Sequence, residues 1–314
     1  MPLVTVENFT RAETDYYFAQ RAQVAGLGRF GHLRELTPVD HQRVIRMNRD
    51  TLYSSAVFDL DAGPATITLP DAGARYLSLH LLNQDHYTTA IHHGAGAYTL
   101  SRDSMGTRYA YAVVRTFVDL GSTDDLRQAH ALQDAIQVRQ DAPGRMEVPD
   151  WDETSRHKVR NAVLALGATL ENFDRTFGAR HEVDPIRHLI GTAYGWGGLP
   201  EREAIYRNFS PALADGQTVH RLTLKDVPVD GFWSVSVYNA AGYFEPNPAG
   251  VYTLNNLTAK QDGDGTVTLQ FGGSADHAAN HLPIMPGWNY IVRLYQPRAE
   301  VLSGAWKLPE AQPA

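Results

Sequence analysis

The segment RMNRDTLYSSAVFDL, residues 46–60, concentrates polar groups at the start of a run that is otherwise typical of a strand. Arg46 and Arg49 are suited to bind a carboxylate or a phosphate, because a guanidinium offers paired N–H donors. Asp50 is an acid–base candidate, and the Tyr53 hydroxyl can both donate and accept. An ion pair between Arg49 and Asp50 that only fixes a strand end is an equal alternative. We interpret this segment as a candidate small-molecule site.

Histidines provide a second source of chemistry. His80, His86 and His92 stand at intervals of six, so on one continuous strand they would share a face. Three imidazoles could bind a divalent metal, but their spacing matches no established ligand pattern, so the metal is the alternative and no cofactor is favoured. The favoured hypothesis is acid–base catalysis by His86, oriented by Asp85 or Asp50, because imidazole titrates near neutral pH.

Aromatic residues complete the predicted site. Tyr53 and Tyr87 would donate to a developing oxyanion, and Trp196, Trp233 and Tyr238 would form apolar walls. In FWSVSVY, however, the alternation places Trp233 with Val235 and Val237 on the face that most simply belongs to the core. The predicted catalytic residues are His86, Asp85, Asp50 and Tyr53, and the predicted substrate-binding residues are Arg46, Arg49, Tyr87, Trp196 and Tyr238.

The amino-acid composition and the net charge exclude some classes of partner and of chemistry. Of the 314 residues 43% are hydrophobic and 20% charged, which is typical of a globular protein with a full core. A net charge of −7 argues against nucleic acid, whose phosphate backbone requires a basic surface. The absence of cysteine excludes disulfides, thiolate nucleophiles and cysteine-bound zinc.

Localisation and assembly follow from similar patterns. The beginning of the chain, MPLVTVENFTRAETDYY, lacks the basic and apolar regions of a leader, and no apolar run reaches membrane-spanning length. We therefore expect a cytoplasmic protein without a membrane partner. The apolar, tyrosine-rich strands lead us to expect a homo-oligomer.

Gly26, Gly28 and Gly31 spell the G-x-G-x-x-G pattern of dinucleotide-binding proteins, but the context is wrong. That fold needs a strand before the glycines and a helix after them. Here a predicted helix, residues 6–25, precedes the glycines, and Pro38 limits whatever follows. We interpret the glycines as a helix end and loop.

The remaining patterns predict an α+β protein that is mostly β, with β-sandwich-like antiparallel sheets and an inserted helical layer. Short β-branched and aromatic runs return on both sides of a central helical stretch, and whether they form one sandwich or two is left open. The predicted divisions are an N-terminal helix and loop over 1–42, a first β-rich domain over 43–121, a helical segment over 122–205 and a C-terminal β-rich domain over 206–314.

Two long motifs resemble known bacterial families. NRDTLYSSAVFDLDAGPATITLPDAGARYLSLHLLNQDHYT resembles domain of unknown function 1254, and GFWSVSVYNAAGYFEPNPAGVYTLNN, with the later NHLPIMPGWNYIVRLYQP, resembles domain of unknown function 1214. The two commonly follow each other in one chain. The resemblance implies β-sandwich-like parts with a helical portion and transfers no settled chemistry.

Two classes of function fit these observations. The first is an enzyme, a hydrolase or lyase, that acts on a small anionic or carbonyl-containing molecule by acid–base hydrolysis or elimination. The alternatives are a small-molecule binding protein without catalysis, or a metal-dependent enzyme that uses the histidine cluster.

Overall fold

The structure, a computed structural model, describes residues 1–42, 45–119 and 121–314. These residues form two compact units, which we call unit 1 and unit 2. Unit 1 comprises Met1–Arg34, Leu52–Phe117 and Arg127–Glu201, and unit 2 comprises Glu35–Thr51, Val118–Leu126 and Arg202–Ala314. The fold is α+β and mostly β, as predicted. The predicted boundary at residue 43 lies outside the described residues.

Unit 1 contains the strands of the first β-rich stretch, although β2 begins one residue earlier, in unit 2. In chain order they are β1 (Gly31–His32), β2 (Thr51–Asp59), β3 (Ala65–Leu69), β4 (Leu77–Asn83), β5 (Thr88–His93), β6 (Gly96–Leu100), β7 (Tyr109–Phe117) and β8 (Gln137–Arg139). They form one antiparallel sheet in the order β1-β2-β7-β4-β5 and a second in the order β6-β3-β8.

The core of unit 1 lies between these two sheets, because alternate residues of each strand point to one face. Phe58, Leu79 and Val114 of the first sheet pack with Ile67 and Leu100 of the second, and all five are buried. Unit 1 is therefore a sandwich of its own. The opposite face of the first sheet carries polar residues, including His80 and Arg115.

The described helices are α1 (Phe9–Ala25), α2 (Arg102–Met105), α3 (Thr123–Asp134), α4 (Glu153–Gly167), α5 (Pro185–Tyr194) and α6 (Ala299–Leu302). Side-chain caps fix two of the starts. Asp152 accepts from the Ser155 amide at 2.7 Å before α4, and Asp184 accepts from the Ile186 amide at 2.9 Å before α5. The helices α1, α4 and α5 pack together as the helical layer of unit 1.

The end of α1 settles the interpretation of the glycine pattern. The helix ends at Ala25, and Gly26 and Gly28 follow with φ angles of 80° and 68°, which glycine adopts without strain. A helix therefore precedes these glycines, as predicted, and the context of a dinucleotide-binding turn is absent from this segment.

Unit 2 contains β9 (Ala204–Phe209), β10 (His220–Leu224), β11 (Trp233–Tyr238), β12 (Thr253–Asn255), β13 (Val267–Phe271), β14 (His281–Leu282), β15 (Asn289–Tyr295) and β16 (Gln312–Pro313). They form one sheet in the order β12-β11-β15-β9 and another in the order β14-β13-β10-β16. Trp233, Val235 and Val292 pack with Leu222 and Leu269 between the sheets. The two β-rich stretches thus form two sandwiches, and Trp233 belongs to the core as its alternation predicted.

The helical stretch was predicted less accurately than the strands. The sequence pattern predicted a helical segment over 122–205 without a strand in it. In the structure α3 ends at Asp134 and β8 follows, α4 ends at Gly167, and α5 is a separate helix. Among the described residues no helix is both long and apolar enough to cross a membrane.

Candidate active site

A cleft of about 460 Å³ opens on unit 1. Its walls come from the first half of α1, the turn after β4, the residues that lead into β7, and the segment before α4. The lining side chains that matter for chemistry are Arg11, Asp15, Arg102, Arg108, Glu147 and Trp151. The cleft thus combines carboxylates, guanidiniums and one indole, groups that can bind and activate a small polar molecule.

Asp15 is the buried carboxylate of the cleft, with only 1% of its surface exposed. Its Oδ1 accepts from Gln84 Nε2 at 2.8 Å, and its Oδ2 accepts from Trp151 Nε1 at 3.0 Å. Burial raises the pKa of Asp15, while the hydrogen bonds from Trp151 and Gln84 oppose that rise. A cleft carboxyl group whose pKa is raised by burial is a candidate acid–base catalyst.

Carboxylate partners hold the arginines of the cleft in place. Arg108 makes a two-pronged contact with Asp59, from Nε to Oδ1 and from Nη2 to Oδ2, both at 2.9 Å. It also donates to Glu147 Oε2 at 2.8 Å. Arg102 donates from Nη1 to Asp61 at 3.1 Å. These contacts fix the guanidiniums before any ligand arrives.

Arg11 is held from the turn that joins β4 to β5. Its Nε and Nη2 donate to Asp85 Oδ1 at 3.1 and 2.5 Å. In the same turn Asn83 Oδ1 accepts from the backbone amides of Asp85 and Tyr87, both at 3.0 Å. Asp85 was predicted to orient a catalytic histidine through its carboxylate. In the structure that carboxylate instead binds an arginine of the cleft.

His86 does not line the cleft, and its side chain is enclosed by protein groups. Its Nε2 accepts from the Gly197 amide at 2.8 Å, which leaves Nδ1 to donate to Thr192 Oγ1 at 3.1 Å. The ring is 2% exposed, and burial, with a smaller effect of His188, lowers its pKa well below the ordinary value. Because both nitrogens are engaged with protein groups, this geometry favours a structural role over the general-base role expected from the sequence.

Tyr87 and Trp196 pack into the same aromatic column as His86. Trp196 stacks on His86 with centroids 5.5 Å apart, His86 stacks on His188 at 5.4 Å, and His188 stacks on Tyr87 at 4.4 Å. Tyr17 extends the column on the other side of Trp196 at 4.7 Å. The structure thus brings Tyr87 and Trp196 together with His86 as packed rings.

The structure does not assemble His80, His86 and His92 as a metal site. His80 Nε2 bonds to Thr88 Oγ1 at 2.9 Å, and its Nδ1 lies 3.3 Å from Arg115 Nη1. His92 stacks on Tyr98 at 4.0 Å. Within the described part of the chain, no group of three or more histidine, aspartate or glutamate side chains is arranged to hold a metal ion. The even spacing failed as a guide because His86 lies in the turn and not on a strand.

In unit 2, Asp50 and Tyr238 belong to a buried polar cluster around Arg293. Arg293 donates from Nη1 to Ser236 Oγ at 2.9 Å and from Nη2 to Tyr238 Oη and the Arg46 carbonyl, both at 2.8 Å. Asp50 is fully buried and accepts from Asn255 Nδ2 at 3.2 Å. Burial raises the pKa of Asp50, and the positive charge of Arg293 is the strongest opposing influence.

The two arginines of the opening segment make further contacts within unit 2. Arg46 donates to Asn289 Oδ1 at 3.2 Å. Arg49 donates to the Thr37 carbonyl at 3.1 Å and lies over the ring of Tyr252, and burial lowers its pKa. Together with the buried Asp50, these contacts favour anchoring of residues 46–50 on the sheet of unit 2. Tyr53 lies in unit 1, where Arg115 sits over its ring at 5.6 Å.

Sequence reasoning missed Asp15, Arg11, Arg108 and Trp151. A polar residue on a helix is normally read as facing water, yet α1 buries the consecutive residues Glu13, Thr14 and Asp15. The same helix exposes 79% of the apolar Val24. The available signal was the four-residue spacing of Arg11 and Asp15, which puts both on one helix face.

Comparison with known proteins agrees with this architecture. The VPA0106 protein of Vibrio parahaemolyticus has a TM-score of 0.74 at 20% identity, over 98% of this chain and 97% of that one. An uncharacterized protein from Burkholderia cenocepacia has a TM-score of 0.53 at 13% identity, over 93% of this chain and 84% of that one. At these identities the likeness shows the fold alone. No curated protein matches the sequence.

Family models locate the two motifs that the sequence resemblance pointed to. Residues 27–103 match the family described as protein of unknown function DUF1254, and residues 209–299 match the one described as protein of unknown function DUF1214. The first match covers most strands of the unit 1 sandwich, and the second covers most strands of the unit 2 sandwich. The chain thus carries a DUF1254 region followed by a DUF1214 region.

Proposed function

We propose that the protein is an enzyme that acts on a small anionic or carbonyl-containing molecule by acid–base hydrolysis or elimination, in the cleft of unit 1. The observation that carries this proposal is Asp15, a buried carboxyl group with a raised pKa that opens onto a cleft of small-molecule size. Asp15 takes the acid–base role that the sequence had suggested for His86.

The arginines support the choice of substrate. Arg11 uses only some of its N–H groups to bind Asp85, and Arg102 uses only some of its N–H groups to bind Asp61. The other N–H groups of both arginines can donate to a carboxylate or a carbonyl oxygen of a substrate. Arg108 donates instead to Asp59 and Glu147, and its role is to fix the position of the residues that line the cleft.

The charges of the side chains in the cleft limit the charge that a substrate can carry. The carboxylates paired with the three arginines, together with Asp15, outnumber the guanidiniums. A phosphate dianion would add two negative charges to a site that is already compensated, and it would be bound poorly. We therefore expect substrates with at most one negative charge, such as small carboxylates and esters.

Binding without catalysis is the second candidate function. The same cleft would hold such a molecule with no chemical change. The arginine–carboxylate pairs, which already fix the side chains of the site, favour binding because a rigid site loses little entropy when a ligand binds. The two candidates differ in whether Asp15 changes the rate of a reaction or only the affinity.

The test is a screen of small carboxylates and esters with the purified protein, with product formation followed by proton NMR, on the wild type and on Asp15→Asn. For a substrate that is turned over, we expect Asp15→Asn to lower kcat by about a hundredfold or more, because general acid–base catalysis contributes that much. Asp141→Asn is the matched control, since it removes an exposed carboxylate that does not line the cleft.

Two results would overturn the enzyme proposal. One is full turnover by Asp15→Asn, which would place the chemistry elsewhere. The other is tight retention of a screened compound in the cleft with no product, which would favour the binding protein.

A further inference from the structure

Two side chains, Trp151 and Gln84, contact the oxygens of the Asp15 carboxylate. The indole Nε1 of Trp151 has a proton and no acceptor lone pair, so its 3.0 Å contact with Oδ2 has one direction. A glutamine amide could present either its oxygen or its nitrogen, and its orientation must be read from the surrounding hydrogen bonds.

Those hydrogen bonds fix Gln84. The Tyr109 backbone amide, a donor, lies 3.1 Å from Gln84 Oε1, so Oε1 must accept and Nε2 must face Asp15. The backbone of Gln84 is held as well, because its amide donates to Thr107 Oγ1 at 3.1 Å. The Thr107 hydroxyl in turn donates to the Tyr109 carbonyl at 2.9 Å. A chain of buried groups therefore aims one N–H at Oδ1.

We propose that Gln84 and Trp151 are positioning residues that hold Asp15 as an ionised general base, with its unused lone pairs available to the cleft. This inference rests on the proposed function of the cleft. In the step assigned to Asp15, a proton passes from the substrate or from a water molecule to a carboxylate oxygen. The bonding electron pair stays on the atom that loses the proton.

The arrangement discriminates between the acid and the base forms of the carboxyl group. A protonated Asp15 would retain two donors facing its oxygens and would gain no acceptor from them, so both contacts favour the ionised form. Burial acts in the opposite direction and keeps the carboxylate basic enough to take a proton. The two donors therefore favour the base form of Asp15, which is the form that the proposal assigns to it.

The experiment measures the titration of Asp15 in the free protein by NMR of carboxyl-labelled aspartate, with Asp15→Asn identifying the signal. Trp151→Phe and Gln84→Met each remove one donor and keep a side chain of similar shape. We expect both to move the midpoint of the Asp15 titration upward, and the low-pH limb of any rate profile to move with it. Trp306→Phe, a substitution in unit 2, should leave the midpoint in place.

The outcomes separate this inference from the proposed function, because the titration needs no substrate. An Asp15 midpoint that moves in neither variant, or moves equally in Trp306→Phe, overturns the positioning role. A shifted midpoint in a protein that retains a screened compound tightly without product leaves the positioning role standing and removes the enzymatic function. If Trp151→Phe fails to fold, Gln84→Met alone decides, since its site is not part of the helical layer.

Discussion

His86 is held in left-handed backbone, with φ of 62°, and both of its ring nitrogens are bonded to protein groups. A second proton on the ring would have to be placed on Nε2, where the Gly197 amide already points a hydrogen. Folding therefore favours the neutral imidazole, which agrees with the pKa of His86 being lowered by burial and then by His188.

The sign of the pH effect follows from that lowered pKa. Below the ordinary histidine pKa of about 6.5, His86 binds a proton in the unfolded chain but not in the folded protein. The contribution of His86 to stability is therefore complete above that pH and falls as the solution is acidified. We expect the free energy of unfolding, measured with urea from pH 8 to pH 5, to fall by up to about 1.4 kcal/mol per pH unit for this group.

The variant His86→Asn isolates the contribution. It should be about 2 kcal/mol less stable at pH 8, because a buried hydrogen bond and ring packing are lost, and its stability should depend less on pH. The control His181→Asn changes an exposed histidine and should follow the wild-type curve. Parallel curves for His86→Asn and the wild type would contradict the assignment.

Asp50 and Arg293 are ionisable groups of opposite sign in the buried cluster of unit 2, and the positive charge of Arg293 acts on the Asp50 carboxyl group. Asp50→Asn or Arg293→Met alone leaves one buried charge without its compensation, which typically costs about 3 kcal/mol or more. We expect the double variant to lose less than the sum of the two singles, with a coupling of about 1 to 3 kcal/mol in urea unfolding.

A surface pair provides the matched comparison. Arg298 and Asp230 are 2.6 Å apart but more than half exposed, so solvent screening should make their coupling much smaller than that of Asp50 and Arg293. Equal coupling in the two cycles would mean that the buried charges are not compensating each other.

At the scale of elements, α5 packs against its neighbours through a glycine. A Cβ at Gly191 would lie 2.3 Å from Thr176 Cγ2 and 3.0 Å from the Phe177 ring. Glycine in a helix interior normally costs about 1 kcal/mol relative to alanine. Close packing overrides that preference here.

We therefore expect Gly191→Ala to destabilise the protein by about 1 to 3 kcal/mol, the usual cost of overpacking, and to lower the melting temperature seen by circular dichroism. The control Gly263→Ala has open space around the new methyl group and a φ that alanine accepts, and it should be neutral. A stabilised Gly191→Ala would show that the helix can move to accept the methyl group.

The same scale explains what the sequence could predict. Strand β11 alternates Trp233, Val235 and Val237 with two serines, so its core face follows from the sequence pattern. The ends of the helices do not follow from the sequence pattern. For example, α3 ends and β8 begins within residues whose composition is typical of a helix. Asp15 was missed because its partners Gln84 and Trp151 stand 69 and 136 positions away, and no local period reveals such a contact.

The whole molecule carries a net charge of −7 at pH 7 and has a pI of about 6.0. Charge repulsion between molecules therefore vanishes about one pH unit below neutrality. We expect light scattering of a concentrated solution to reach its maximum near pH 6 and to be low at pH 8. A flat profile across this range would show that another force keeps the molecules apart.

The turn at residues 83–87 contributes Gln84 to the base, Asp85 to an arginine of the cleft and His86 to the aromatic column. A hairpin tip is ordinarily where a protein most easily gains or loses residues in evolution, since little depends on it. Here a single inserted residue would displace the side chains of Gln84, Asp85 and His86 together. We expect relatives that share this chemistry to vary the loops around the cleft and to keep the length of this hairpin.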